Sequence, residues 1–187
     1  MRLALFGGTF DPIHNAHLTI AREAVRQFAL DRVLFIPASR PPHKSGQTRT
    51  PYEQRYRMVE LACEGEPLFE ASRLEASAQN SYSIETIERV RASLKGHDLF
   101  FLIGADAFAE IRTWHRWREV VASVDFIVVS RPESQYQIPE GARVHPLEGV
   151  NLTVSSSEIR EQLAQGGDPA DLPPAVLRYI RDNRLYR

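Results

Sequence analysis

Apolar residues along this chain form two kinds of pattern, short continuous runs and longer stretches with helical spacing. Continuous apolar runs bounded by polar residues or glycine predict buried strands. Such runs lie at 3–6, 32–36, 99–103 and 126–129, with shorter candidates at 68–70 and 142–146. Apolar residues that recur every three or four positions predict helices over 18–28, 52–64 and 83–94, followed by one after Ser155 and one after Pro174.

The alternation of strands and helices predicts an α/β fold. We expect a Rossmann-like, doubly wound and mainly parallel sheet with helices on both faces, and a small helical part at the C-terminal end. The length of 187 residues fits one domain, 1–187. Because ligands of such sheets bind beyond the carboxyl ends of the strands, the residues that directly follow each strand are the first candidates for chemistry.

Composition and charge narrow the class of protein. The chain is 43% hydrophobic and 25% charged, as ordinary globular proteins are, and its formal net charge of −1 supplies no general attraction to nucleic acid or membranes. Cys63 is the one cysteine, so an internal disulfide framework is excluded. No apolar stretch is long enough for a signal-peptide core or a membrane span, and we expect a cytoplasmic protein. Basic residues do cluster in one region, which fits the rim of a phosphate site better than a nucleic-acid surface: Arg40, Lys44, Arg49, Arg55 and Arg57.

The exit of the first predicted strand carries residues suited to phosphate binding, in the order GGTFDPIHNAH from Gly7 to His17. Paired glycines let backbone amides approach a ligand, and the following helix directs its positive dipole end to the same place. His14 and His17 are three apart, so both rings face one side, and beside phosphate either ring would become or stay protonated. Taken singly, the glycines also fit a plain turn and the histidines a helix cap; a zinc site lacks evident third and fourth ligands.

A second phosphate-binding candidate is VSSSEIR at 154–160. Ser155 and Glu158 fit a capping box, which fold stability alone would explain. Ser156 and Ser157 add hydroxyl groups to the free amides of a first helical turn, and Arg160 adds a forked cation one turn further on. That combination suits a polyphosphate.

These two segments resemble the signatures of the HxGH nucleotidyltransferase superfamily. GGTFDPIH is the form typical of nicotinate-mononucleotide adenylyltransferases, and VSSSEIR is similar to the ISSTxIR motif of the superfamily. The chain departs from the pattern at Ala16, where the family has glycine between the histidines. The resemblance extends from Met1 to Tyr186 and implies a single nucleotidyltransferase domain.

The resemblance implies an ATP site in which His14, His17 and Arg160 are catalytic. Thr9 and the amides of Gly8 and Phe10 would orient the reacting phosphates. Arg131, in the segment Val129–Pro132, would lie close to ATP. The implied ATP-binding residues are Gly7, Gly8, Thr9, Phe10, His14, His17, Arg131, Ser156, Ser157 and Arg160.

The resemblance also implies a mononucleotide site. Trp114 would stack on the pyridine ring, the Gly104-Ala105-Asp106 element would contact ribose, and the amides of Ser83 or Ile84 with His115 would meet the nicotinate carboxylate. By themselves, an Asp after a strand also fits a helix cap, a Trp fits the core, and a loop lysine fits solvent. The implied mononucleotide-binding residues are Thr9, Lys44, Ser83, Ile84, Gly104, Asp106, Trp114 and His115.

The reaction implied is ATP plus nicotinate mononucleotide giving nicotinate adenine dinucleotide and pyrophosphate, a step of NAD biosynthesis. Mg²⁺ would be carried by ATP, with no dedicated protein metal site. Two alternatives stay open: a sister adenylyltransferase that prefers nicotinamide mononucleotide or phosphopantetheine, and a non-catalytic nucleotide-binding module. The sequence makes no prediction of the oligomeric state.

Overall fold

The computed structural model describes residues 1–39, 50–77, 81–94, 96–130, 135–150 and 154–187. Six strands form one sheet in the order β3-β2-β1-β4-β5-β6, and every neighbouring pair is parallel. The predicted α/β fold is therefore confirmed, with a sheet that is wholly rather than mainly parallel. The strands are β1 (Arg2–Gly8), β2 (Arg32–Pro37), β3 (Phe69–Ala71), β4 (Asp98–Gly104), β5 (Asp125–Val129) and β6 (Arg143–Leu147).

Helices cover both faces of this sheet. Their bounds are α1 (Asn15–Phe28), α2 (Tyr52–Cys63), α3 (Ser83–Ser93), α4 (Ala105–Ala109), α5 (Trp117–Ser123), α6 (Ser156–Ala164) and α7 (Pro174–Asp182), with a 3₁₀ turn at Ile111–Thr113. The sequence pattern did not predict α4, the 3₁₀ turn or α5, because elements of five, three and seven residues are too short to establish a helical period. No helix in the described ranges is both long and apolar enough to cross a membrane.

Side chains that alternate along each strand build two cores. In β1, Ala4 and Phe6 pack on the face covered by α1, α2, α6 and α7, whereas Leu3 and Leu5 pack on the face covered by α3, α4 and α5. Burial on both faces explains why the strands read as continuous apolar runs rather than as alternating ones.

The order of the strands determines where a ligand can bind. From the central pair β1 and β4, the chain proceeds outward to β2 on one side and to β5 on the other. Where the direction in which strands are added to the sheet reverses in this way, a crevice opens beyond the carboxyl ends of the two central strands. Gly7 and Gly8 end β1 there, and Gly104 ends β4.

Candidate active site

Two clefts meet beyond the carboxyl ends of β1 and β4. The first cleft, with a volume of about 400 Å³, is open toward α1 and α6. The second cleft, of about 460 Å³, is open toward α3 and the 3₁₀ turn. Phe6 and Gly104 line both clefts, so the two spaces adjoin at the ends of the central strands.

The first cleft brings together most of the residues expected to bind ATP. They come from the exit of β1, from the first turn of α1 and from the start of α6, near opposite ends of the chain. Lining this cleft are Thr9, Phe10, His14, His17, Ser156, Ser157 and Arg160.

Hydrogen bonds hold the start of α6 against the exit of β1. The Ser156 hydroxyl donates to the Pro12 carbonyl oxygen at 3.0 Å across 144 positions of sequence. Arg160 donates from Nη1 to the Asp11 carbonyl oxygen at 2.8 Å and from Nη2 to Ser157 Oγ at 3.1 Å. These hydrogen bonds hold the guanidinium next to both phosphate-binding candidates.

The start of α6 combines a cap with free amides. Glu158 N donates to Ser155 Oγ at 3.2 Å, and Ser155 N donates to Glu158 Oε2 at 3.0 Å, so the predicted capping box is confirmed. The first backbone hydrogen bond of the helix is donated by Ile159 N to Ser155 O at 3.1 Å. The amides of Ser156 and Ser157 precede that bond and belong to the open first turn, where an anion binds favourably.

His14 and His17 form a close pair on one side of the first turn of α1. Their ring centroids are 3.8 Å apart with an interplanar angle of 34°. The His14 backbone N–H donates to Nδ1 of His17 at 3.2 Å. Because Nδ1 is the acceptor, a neutral His17 ring carries its proton on Nε2.

The environment of His14 favours its uncharged form. The residue is only 4% exposed, and burial lowers its pKa to about 4. Its Nδ1 atom has no hydrogen-bond partner among the described residues. Burial therefore keeps His14 uncharged near neutral pH, and the protonation predicted from the sequence applies to a ring beside phosphate.

Gly8 has a packing role that the sequence analysis did not foresee. Phe10 has a φ of 48°, which turns its ring back over β1. A Cβ atom on Gly8 would lie 2.9 Å from Cζ of that ring, whereas one on Gly7 would lie 3.8 Å from Cζ of Phe101. A glycine is therefore needed at position 8 to leave room for the Phe10 ring. Gly7 and Gly8, which were both expected at ATP, line the second cleft instead.

The second cleft contains four of the eight residues expected at the mononucleotide: Ser83, Gly104, Trp114 and His115. Thr9, expected at both nucleotides, lines the first cleft. The side chain of Ile84 lies in the core, so only its amide is available at the start of α3. The amides of Ser83 and Ile84 precede the hydrogen bond from Glu85 N to Tyr82 O, and they form the positive end of α3.

Aromatic rings form part of the wall of the second cleft. Trp114 is half-buried and meets the Phe101 ring edge-on, with centroids 5.9 Å apart, so it both packs on the core and faces the cleft. Tyr82 and His115 lie nearly face to face at 4.5 Å. A flat ring bound here would meet aromatic surface.

Some expected residues lie elsewhere, and some functional residues were missed. Asp106, expected at the mononucleotide, lines the first cleft because the first turn of α4 directs it there, while Ala107 lines the second. Glu75 is buried in the wall of the second cleft and accepts a hydrogen bond from Thr86 Oγ1 at 2.6 Å. No periodic signal in its segment marks Glu75. Lys44 and Arg131 lie outside the described residues.

No group of three or more His, Cys, Asp or Glu side chains that could hold a metal ion is present in the described part of the chain.

Comparisons with known proteins agree with this architecture. The cytidylyltransferase-like family model matches residues 5–162. The probable nicotinate-nucleotide adenylyltransferase of Solibacter usitatus is 60% identical over 187 residues, with both chains covered completely. The enzyme of the same name from Pelobacter propionicus is 41% identical, over 100% of this chain and 98% of that protein.

The fold is also that of a solved structure. Nicotinic acid mononucleotide adenylyltransferase of Plasmodium falciparum, in complex with NaAD, superposes with a TM-score of 0.82 at 19% sequence identity. The match covers 99% of this chain and 97% of that one.

Proposed function

This chain belongs to the nicotinate-nucleotide adenylyltransferase family, and on that premise we propose that it transfers AMP from ATP to nicotinate mononucleotide. The products are nicotinate adenine dinucleotide and pyrophosphate. This reaction is a step of NAD biosynthesis.

The observation that carries the proposal is the convergence of two distant segments on the first cleft. The histidine pair of α1 and the arginine of α6 line one space, and the bond from Arg160 to the Asp11 carbonyl oxygen spans 149 positions. A triphosphate is the ligand that matches two imidazoles, a guanidinium and an open helix start. The adjoining second cleft is lined in part by the aromatic ring of Trp114, on which a flat ring could stack.

In the proposed reaction, a 5′-phosphate oxygen of the mononucleotide attacks the α-phosphorus of ATP in line. The new P–O bond forms as the bond to the bridging oxygen breaks, and pyrophosphate leaves with that electron pair. No covalent nucleophile on the protein is needed, because such transfers depend on positioning and on stabilising charge.

The residues expected to bind ATP have proposed parts in this step. His17 donates from Nε2 to the α-phosphate, and His14 stabilises charge on the bridging oxygen, because the negative charge of the phosphates would raise its pKa. Arg160, Ser156 and Ser157 hold the β- and γ-phosphates. Thr9 and the amides of Gly8 and Phe10 orient the reacting groups, with Gly8 acting from the strand end between the clefts.

The second cleft holds the mononucleotide in this proposal. Trp114 stacks on the pyridine ring, and the amides of Ser83, Ile84 and His115 donate to the nicotinate carboxylate at the positive end of α3. Gly104 lies between the nucleotides, and Asp106 contacts a ribose from the side of the first cleft. Lys44 and Arg131 keep the phosphate- and ATP-binding roles that the family resemblance implies.

We propose that Mg²⁺ enters with ATP, because Mg²⁺ keeps several waters and binds phosphate oxygens more readily than an all-protein cage. It would neutralise part of the triphosphate charge.

The experiment that tests the function is pyrophosphate release from ATP with nicotinate mononucleotide, nicotinamide mononucleotide or phosphopantetheine as acceptor. We expect the highest kcat/KM with the nicotinate compound. His17→Ala should lower turnover by about 100-fold, the scale of losing one preorganised stabiliser of charge. His145→Ala is the matched control, since His145 bonds to Asp125 at the opposite end of β5. Faster reaction with another acceptor would reassign the substrate, and no release with any acceptor would leave a nucleotide-binding module.

A further inference from the structure

The penultimate residue of the chain, Tyr186, contacts the exit of β1. Its hydroxyl donates to Asp11 Oδ1 at 2.6 Å, across 175 positions of sequence. Burial raises the pKa of Tyr186, and the negative charge of Asp11 raises it further, so the hydroxyl keeps its proton and remains the donor. Asp11 itself is buried. A charged carboxylate in such a place needs partners, and Tyr186 is one of them.

Asp11 belongs to the loop Thr9–His14, named here the 9–14 loop, which several parts of the chain hold in place. From α6, Arg160 and Ser156 bind the carbonyl oxygens of Asp11 and Pro12. From α2, Arg55, which is 1% exposed, donates to the Thr9 carbonyl oxygen at 2.6 Å. The loop leads directly into the histidine pair.

Backbone conformation indicates that these contacts work against strain. Phe10, inside the 9–14 loop, has a φ of 48°, and in the C-terminal tail Arg184 and Tyr186 have φ values of 53° and 60°. Non-glycine residues keep left-handed conformations only where the surroundings over-determine them, and such residues cluster at functional sites. The bond between Tyr186 and Asp11 joins the two strained segments.

Tyr186 is not among the described residues that line either cleft. A direct contact with a substrate therefore does not account for its placement. Its bond reaches a residue whose backbone oxygen is held by the arginine expected at the ATP phosphates.

We infer that Tyr186 is a positioning residue for adenylyl transfer: through its hydrogen bond to Asp11, it holds the 9–14 loop in the geometry that aligns His14 and His17 with Arg160. The inference rests on the proposed function. Replacing only the hydroxyl should therefore slow the chemical step more than it weakens substrate binding.

The test compares Tyr186→Phe with Tyr179→Phe. Tyr179 lies on α7, packs against the same core, and has no side-chain hydrogen bond among the described residues, so it is a matched loss of one hydroxyl. We expect Tyr186→Phe to lower kcat about 10-fold or more, within the roughly 100-fold that a 1 Å misplacement costs, with KM values little changed. Tyr179→Phe should keep the wild-type kcat.

Two further measurements separate positioning from stability. Asp11→Ala combined with Tyr186→Phe should be little slower than Asp11→Ala alone, because both changes remove the hydrogen bond between Tyr186 and Asp11. Amide hydrogen exchange over residues 9–14 should be faster in Tyr186→Phe and unchanged in Tyr179→Phe, under conditions where both variants are folded. An unchanged kcat in Tyr186→Phe, or effects of the two changes that multiply independently, would overturn the inference.

The exchange measurement also distinguishes this inference from the function on which it rests. If the wild-type protein makes no dinucleotide, the proposed function fails, and exchange over 9–14 alone decides whether Tyr186 holds the loop. Unchanged exchange in Tyr186→Phe would then reject the positioning role.

Discussion

Gly8→Ala is the substitution for which the structure makes the sharpest prediction. The added Cβ atom would lie 2.9 Å from Cζ of Phe10 and 3.0 Å from its Cε1, closer than carbon atoms approach one another. The ring has little room to move away. It is buried, and it meets the rings of Phe6 at 5.7 Å, Phe35 at 5.8 Å and His17 at 5.1 Å.

The expected size of the effect follows from two opposing terms. Forcing an extra carbon into a packed site costs about 1–3 kcal/mol. Replacing glycine by alanine also restricts the unfolded chain, which raises the free energy of unfolding by about 0.4–1 kcal/mol. We expect a net loss of about 1–2 kcal/mol in the free energy of unfolding, which lowers Tm by roughly 2–8 °C for a chain of this length.

Gly7→Ala is the matched control, one residue earlier in the same strand. Its Cβ atom would lie 3.8 Å from Cζ of Phe101, which is an ordinary contact. The main effect of Gly7→Ala should therefore be the reduced conformational freedom of the unfolded chain, and Tm should stay level or rise. Thermal unfolding followed by circular dichroism measures both. Because Phe10 contacts His17, Gly8→Ala should also lower kcat.

A Tm for Gly8→Ala equal to or above that of Gly7→Ala would contradict this reasoning. It would mean that the Phe10 ring does not occupy the space above Gly8. A lower Tm with an unchanged kcat would instead separate the packing of Phe10 from the placement of His17.

Three other predictions concern charge, burial and stacking. His14 has a pKa of about 4 in the folded protein and about 6.5 in the unfolded chain, so between these pH values only the unfolded chain binds the proton. The free energy of unfolding should therefore fall by about 3 kcal/mol in total as the pH drops from 6.5 to 4. Denaturant titrations of His14→Asn should lack this contribution of His14. Arg55→Met leaves two carbonyl oxygens without their donor and should lower the free energy of unfolding by about 2–4 kcal/mol in denaturant titrations. Arg57→Met, which removes an exposed ion pair, is the control and should change the free energy of unfolding by less than about 1 kcal/mol. Trp114→Ala should raise KM for nicotinate mononucleotide about 10-fold while KM for ATP stays constant, as steady-state pyrophosphate release would measure.

Much of the fold could be predicted because a parallel sheet with helices on both faces gives a recognisable pattern of hydrophobic residues in the sequence. The strands β1, β2, β4 and β5 bury both faces, so each contains an unbroken apolar run, and each long helix shows its own period. The start of α6 was equally predictable, since the capping box of Ser155 and Glu158 is a local arrangement of neighbouring residues.

The rest depends on contacts between distant residues. The role of Gly8 follows from the ring two residues later, whose direction is set by the left-handed conformation of Phe10. The bond between Tyr186 and Asp11 has no counterpart in any local pattern. Arg55 did give a signal: it stands three and four positions before Met58 and Val59, on the apolar side of α2, where a charged residue is unusual.

The arrangement of the two clefts suits the proposed reaction, which needs no nucleophile on the protein. Two nucleotides bound on either side of Phe6 and Gly104 would bring their phosphates together over the ends of β1 and β4. What remains is to hold negatively charged groups close enough to react, and that requires donors that do not move. In the proposed reaction, the burial of His14, the bond from the His14 amide to His17 and the hydrogen-bonded guanidinium of Arg160 would supply such donors. If the proposed reaction and the role inferred for Tyr186 hold, preorganisation of the 9–14 loop is the property that the substitutions at Gly8 and Tyr186 test most directly.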